Sequence, residues 1–535
     1  MFGSVSVAVA RRAANPVTLF NSDPRCYLGG LMDKYIEKIL SARVYDVAIE
    51  SPLEEAPALS RRLGNRILLK REDMQSIFSF KLRGAYNRIW QLSRQQKLEG
   101  VTCSSAGNHA QGVALAAKKL GLKAMIVMPR TTPQIKVDAV KALGGRAILH
   151  GDAYDEAYAH ACEIEQEYGY PFFHPYDHPD TIAGQGTVGM ELCRQFGDDI
   201  HAVFVPVGGG GLITGIAAFI KYLRPETKII GVEPEDAASM SVSLERGRRT
   251  RLKHVGIFAD GVAVACPGKE TFRLARKYVD EIVTVSTDEI CAAIKDVFGD
   301  TRTLTEPAGA LGVAGMKRYV EREGLTDANM IPVICGANIN FDRLRHVAER
   351  AELGEHREVL FAATLPERPG AFRKFCNALG KRSVTEFNYR YADTERAHVF
   401  VGVQTRGGDD ERQAILDDLR GKGYEILDMT DNEMAKLHIR YLVGGHTNGL
   451  VPNERVLRFE FPERPGALQN FLDVMGRGWN ISLFHYRNHG AAYGRVLAGM
   501  QVPEEDGKAF RKFLDELGYF WEEESDNSAY QTFLR

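Results

Sequence analysis

Short apolar runs alternate with longer amphipathic stretches from about residue 65 to 345, and glycine clusters stand where several of the runs end. The spacing predicts strands at Arg66–Lys70, Lys123–Met128, Ala202–Val207, Lys228–Val232 and Met330–Ile334. Helices are predicted over Lys81–Gln96, Val113–Leu120, Thr132–Leu143 and Ile213–Tyr222. Strands that are apolar throughout must be buried on both faces, so the fold class is α/β, with parallel sheets covered by helices on both sides. Ligands of such sheets bind beyond the carboxyl ends of the strands. The glycine clusters lie there.

The chain has 535 residues, too many for a single core when domains run about 100–200 residues. With 44% hydrophobic and 26% charged residues, wholesale disorder and fibrous folds are excluded. Lys and Arg number 68 against 70 Asp and Glu, so the net charge of −2 gives no general attraction to nucleic acid or anionic membrane. No apolar run approaches the roughly 18 residues needed to span a bilayer. The eight cysteines form no C-x-x-C pair and no set at metal spacing. A reducing compartment, free thiols and no metal site are expected. The first 22 residues contain Arg11 and Arg12 but no acid before Asp23, which resembles a short organellar targeting segment. Helix-like patterning begins only at Met32, and the expectation is a cytoplasmic protein with a poorly defined extension over 1–31.

Beyond Glu355 the chain repeats itself. Pro-Glu-Arg-Pro-Gly-Ala occurs at 366–371 and again at 462–467, and Phe387-Asn388-Tyr389-Arg390 corresponds to Phe484-His485-Tyr486-Arg487 at nearly the same offset. Each unit reads as strand, Pro-Gly turn, helix, strand, strand, helix, the order of a ferredoxin-like α+β module. The expected domains are a catalytic unit over 32–355 and two such modules over 359–431 and 454–525. The acidic run after Trp521 reads as a solvated helix edge.

Four motifs carry chemistry. In Ser79-Phe80-Lys81-Leu82-Arg83-Gly84 a lysine opens a helix, where the macrodipole disfavours a cation. Condensation with an aldehyde cofactor removes that conflict, and lysine is the side chain used with pyridoxal phosphate. Ser105-Ala106-Gly107-Asn108 precedes a helix and can turn backbone N–H groups toward a substrate carboxylate, while Asn108 can donate to a ring oxygen of the cofactor. Gly208-Gly209-Gly210-Gly211-Leu212 joins a strand to a helix. It lacks the Lys-Ser/Thr of a nucleotide loop and the spacing of a dinucleotide loop, so a single phosphate fits best. Cys335, just after a strand, could face a pyridine nitrogen without protonating it.

Together these motifs, with Gly336-Ala337-Asn338, resemble the biosynthetic threonine deaminases (threonine ammonia-lyases) along nearly the whole chain. These are fold-type II, tryptophan-synthase-β-like pyridoxal-phosphate enzymes with two C-terminal ACT-like domains. The resemblance implies that Lys81 carries the cofactor, with Phe80, Asn108, Gly208 to Leu212 and Cys335 around it. It implies L-threonine as substrate, with L-serine also accepted, contacted by Ser105, Ala106, Gly107 and Asn108. It also implies isoleucine and valine as effectors near Tyr389 and Tyr486, and a homotetramer. The family usually has Ser where Cys335 stands, which bears on the preference for threonine over serine. Related serine racemases place a second base at position 106; Ala106 cannot transfer a proton, so racemisation is expected to be minor. Some of those relatives hold a divalent ion near Glu233, but Ser239 stands where a second acid would be, so no metal is expected.

Overall fold

The computed structural model describes residues 34–535 except 97, 356, 367–373, 376–377, 381, 383, 390–395, 406, 442–451, 463–469, 472–473, 476–478 and 488–492. The extension over 1–31 lies outside the described residues.

The catalytic unit contains two sheets. Six strands lie in the order Leu53–Glu55, Arg66–Arg71, Asn329–Ile334, Ala202–Pro206, Lys228–Pro234 and Glu281–Val285. All pairs in it are parallel except the first. A second sheet of Gly100–Ser104, Lys123–Met128 and Arg146–Leu149 is wholly parallel. Strands such as Ala202–Pro206 are buried at every position, as their unbroken apolar sequence requires. Helices Pro179–Gln195, Gly211–Leu223 and Pro307–Glu323 cover the larger sheet, and Lys81–Gln95 packs on Asn108–Leu120 beside the smaller. The strands and helices expected in this unit are all present, most with ends shifted by one or two residues. The largest shift is in the helix expected from Val113, which begins at Asn108, so the Ser105–Gly107 loop leads straight into it.

A charged cluster is sealed inside this unit. Arg83 donates to Glu72 at 2.8 Å and to Glu191 at 2.6 Å, and Lys70 meets Glu191 at 2.6 Å. None of these four side chains is exposed to solvent. Arg83 lies two residues after Lys81 and so fixes the first turn of that helix.

The tail forms two four-stranded antiparallel sheets of identical order. In the first, Val384–Tyr389, Arg396–Gln404, Glu358–Pro366 and Glu425–Asp428 are adjacent; in the second, Asn480–Arg487, Tyr493–Gln501, Glu454–Pro462 and Phe520–Glu523. Helices Gly408–Gly421 and Gly507–Leu517 occupy matching places. Short helices Glu433–Leu437 and Ser528–Phe533 follow each unit, and Met434, Tyr530 and Phe533 join Leu360, Phe400, Val456 and Leu497 in a core shared by both repeats. The acidic run after Trp521 is not a helix edge. Glu522 and Glu523 sit in an edge strand, and Arg458 and Arg455 pair with them across the sheet.

Candidate active site

The motifs that follow the carboxyl ends of strands in the larger and the smaller sheet meet one another: Phe80 bonds to Cys335, and Asn108 to Glu306 and Asn338. Lys81 opens its helix from Phe80, which supplies no side-chain cap. The Phe80 N–H donates to the Cys335 carbonyl at 3.2 Å, so the lysine segment is anchored to the end of strand Asn329–Ile334. Lys81 Nζ lies 3.5 Å from the Pro175 carbonyl and 5.2 Å from the Phe80 ring centre. Burial pushes its pKa down to about 8, opposed by Cys335 and Glu306. A larger share of neutral amine follows, and only the neutral amine condenses with an aldehyde.

Asn108 is held from two sides. Its amide donates to Glu306 Oε1 at 2.7 Å, and its Oδ1 accepts from Asn338 Nδ2 at 2.7 Å. Ser105, Ala106 and Gly107 are half-buried beside it. The Gly107 N–H donates to Ser105 Oγ at 3.3 Å, and a Cβ at Gly107 would meet nothing. Open space therefore faces this loop, as a substrate requires.

The tetraglycine loop is crowded from outside. A Cβ on Gly208 would come within 2.9 Å of Val262 backbone, and one on Gly209 would overlap the Tyr176 ring. Gly210, at φ +92°, would bring a Cβ to 2.6 Å from the Met240 methyl. The glycines thus let the loop curl tightly while its N–H groups open the 13-residue helix Gly211–Leu223, and Leu212 is buried behind them. Cys335 is buried, its thiol donates to the Ala308 carbonyl at 3.4 Å, and burial raises its pKa well above the usual thiol range. It is a neutral group.

Ser79, Ser104 and Thr305 each bury a hydroxyl with no partner among the described residues, next to Lys81, the Ser105 loop and Glu306 respectively. A glycine cradle that side chains would fill, a buried lysine of lowered pKa and unpaired hydroxyls around one cleft fit a phosphorylated aldehyde cofactor.

Sequence reasoning missed Glu306. It precedes Pro307 at the start of helix Pro307–Glu323, and burial, followed by the charge of Asp260, pushes its pKa up to about 7. An acid before an N1 proline reads as an ordinary helix start; only the fold brings it to Asn108. His174 accepts from the Tyr176 and Asp177 N–H groups in the segment over Lys81, and burial lowers its pKa to about 4. Glu233 accepts from the Met240 and Ser241 N–H groups at 2.9 and 2.8 Å, so its carboxylate is committed to backbone. Tyr389 pairs in register with Val399 and Tyr486 with Val496, but both side chains lie outside the described residues.

Residues 44–336 match the family model described as pyridoxal-phosphate dependent enzyme, and fold and site define an enzyme of that class. Residues 349–439 and 448–534 match the C-terminal regulatory domain of threonine dehydratase. The chain is 56% identical to the biosynthetic L-threonine dehydratase IlvA of Burkholderia multivorans, over 94% of this chain and 99% of that one. It is 51% identical to the mitochondrial threonine dehydratase of Saccharomyces cerevisiae, over 94% and 89%. The processed threonine deaminase isoform 2 of Solanum lycopersicum superposes with a TM-score of 0.59 at 52% identity, over 61% of this chain and 90% of that one. The chain belongs to the threonine dehydratase family. Among the described residues no helix is long and apolar enough to cross a membrane.

Proposed function

We propose that the protein deaminates L-threonine to 2-oxobutanoate and ammonia, the first step toward isoleucine, under feedback control through its tail. The observation that carries this reading is the likeness to biosynthetic threonine dehydratases across both the catalytic unit and the regulatory tail. Bound pyridoxal phosphate supplies an electron sink for the pair released when the Cα proton leaves. Lys81 would hold that cofactor and then, as the freed amine, take the Cα proton. A pKa near 8 suits an amine that must be neutral when it acts. Gly208 to Leu212 would hold the phosphate and Asn108 the ring oxygen. The loop Ser105–Gly107 would bind the substrate carboxylate through its N–H groups, and Ala106 offers no proton to the opposite face of Cα.

Cys335 would lie by the ring nitrogen. A neutral thiol does not protonate the ring, which favours prompt loss of the β-hydroxyl over a long-lived carbanion. Cys335→Ser is expected to retain activity and to raise the ratio of threonine to serine turnover. Unchanged kinetics for both substrates would place residue 335 away from the ring.

For the tail we propose isoleucine as inhibitor and valine as activator, with Tyr389 and Tyr486 among the effector contacts. Isoleucine should change the apparent threonine affinity by roughly 5–150-fold, the usual size of allosteric coupling. A chain ending near Glu355 should deaminate threonine and ignore isoleucine. Inhibition of that shortened chain at the same concentration would move the effector site into the catalytic unit.

A further inference from the structure

Asn108 serves a cofactor only if its amide faces the right way. The two ends of a carboxamide have nearly the same shape, yet one donates hydrogen bonds and the other accepts them. A phenolate-like ring oxygen needs the donating end, and the flipped amide would set oxygen against oxygen. The protein must choose between the two.

A backbone carbonyl makes the choice. Asn338 Nδ2 donates to the Ile77 carbonyl at 2.8 Å and, with its other hydrogen, to Asn108 Oδ1 at 2.7 Å. A backbone carbonyl only accepts, so it fixes which end of the Asn338 amide is nitrogen. That nitrogen in turn requires oxygen at the near end of Asn108. On the far side Asn108 Nδ2 donates to Glu306 Oε1 at 2.7 Å, and a carboxylate is an acceptor only. Among the described residues this leaves Asn108 Nδ2 one N–H to give to a ligand.

The surroundings are shaped for this contact. Glu306 is only 4% exposed, and its N–H donates to the Gly336 carbonyl at 3.3 Å. A Cβ on Gly336 would collide with Glu306 Oε1 and stand 3.2 Å from Asn108 Nδ2, so glycine at this position lets the acid reach the amide. Gly336 also pairs with Ser79, two residues before Lys81. The start of the lysine helix, the Asn108 loop and the end of strand Asn329–Ile334 are thereby joined around one amide.

We propose that Glu306 and Asn338 are positioning residues that lock the Asn108 amide with an N–H toward the cofactor's ring oxygen. The inference rests on the reading of Asn108 as the contact of that oxygen. The test loads full-length protein with graded pyridoxal phosphate and reads two quantities, the cofactor dissociation constant and the visible spectrum of the lysine-bound cofactor. Asn108→Ala is expected to weaken cofactor binding about tenfold, the worth of a hydrogen bond to a charged group. Glu306→Ala and Asn338→Ala, which release the amide from opposite ends, should each weaken it at least about fivefold and change the spectrum in the same direction as Asn108→Ala. Glu306→Gln still offers an oxygen and should stay within about twofold of the parent protein. In an Asn108→Ala background neither Glu306→Ala nor Asn338→Ala should add more than about twofold, because the group they act through is gone. If Asn108→Ala is impaired while Glu306→Ala and Asn338→Ala match the parent protein, or if the double variants are fully additive, the inference is wrong and the Asn108 contact stands. Glu306→Gln as impaired as Glu306→Ala would also overturn it, since charge rather than an accepted hydrogen bond would then matter. If Asn108→Ala itself matches the parent protein in both readouts, the reading of Asn108 and this inference fall together.

Discussion

Lys81→Ala should lose the visible absorbance of the lysine-bound cofactor and at least about a thousandfold of threonine deamination, within the range of a lost acid–base group and compounded by loss of the covalent attachment. The fold should survive. The amine makes one weak hydrogen bond, 3.5 Å to the Pro175 carbonyl, beside its contact with the Phe80 ring, and the rest of its helix is held by Arg83, Gly84 and Asn87. Circular dichroism and the thermal midpoint should match those of the parent protein. The pH dependence has a definite sign. Burial lowers the amine's pKa to about 8, so the neutral, condensing form grows as pH rises through that value. Cofactor uptake by the apoprotein should therefore accelerate between about pH 7 and 9 and level off above it. Substantial turnover by the alanine variant without added amine would remove Lys81 from the chemistry.

Glu191→Ala should be the most damaging single change to stability away from the cleft. Glu191 is fully buried and accepts from both Lys70 and Arg83; its loss leaves two cations facing only Glu72 in a dry interior. Breaking a buried ion cluster in this way costs about 3–5 kcal/mol, because the stranded charge keeps its desolvation penalty. Replacing Lys70 and Glu191 together by apolar residues of similar size should cost less, since no charge is then stranded. Urea unfolding read by tryptophan fluorescence measures both. A loss below about 1 kcal/mol for Glu191→Ala would mean that water reaches the cluster.

What the sequence made legible follows from where the information sits. Strands buried on both faces must be apolar throughout, so Ala202–Pro206 and Asn329–Ile334 were readable without partners. The tetraglycine was readable because four consecutive residues without Cβ have few other uses, and Tyr176, Met240 and Val262 now supply the reason. The tandem tail was readable from its internal repeat. Other features depend on residues distant in the chain. Glu306 reaches Asn108 across 198 positions, and Arg83 reaches Glu191 across 108; neither leaves a local pattern. Local reading also failed at Glu522 and Glu523, where three successive acids suggested a helix edge. Their partners, Arg458 and Arg455, lie on the neighbouring strand, and cross-strand pairing decided the structure.

The central claim is a threonine dehydratase under isoleucine control. Its most direct test follows ammonia and 2-oxo acid release from L-threonine and L-serine by the pyridoxal-phosphate-loaded protein, with and without L-isoleucine. The expected result is 2-oxobutanoate and ammonia in equal amounts from threonine, slower turnover of serine, and suppression of the threonine reaction by isoleucine. Racemised amino acid without ammonia, or threonine deamination indifferent to isoleucine at any concentration, would contradict it.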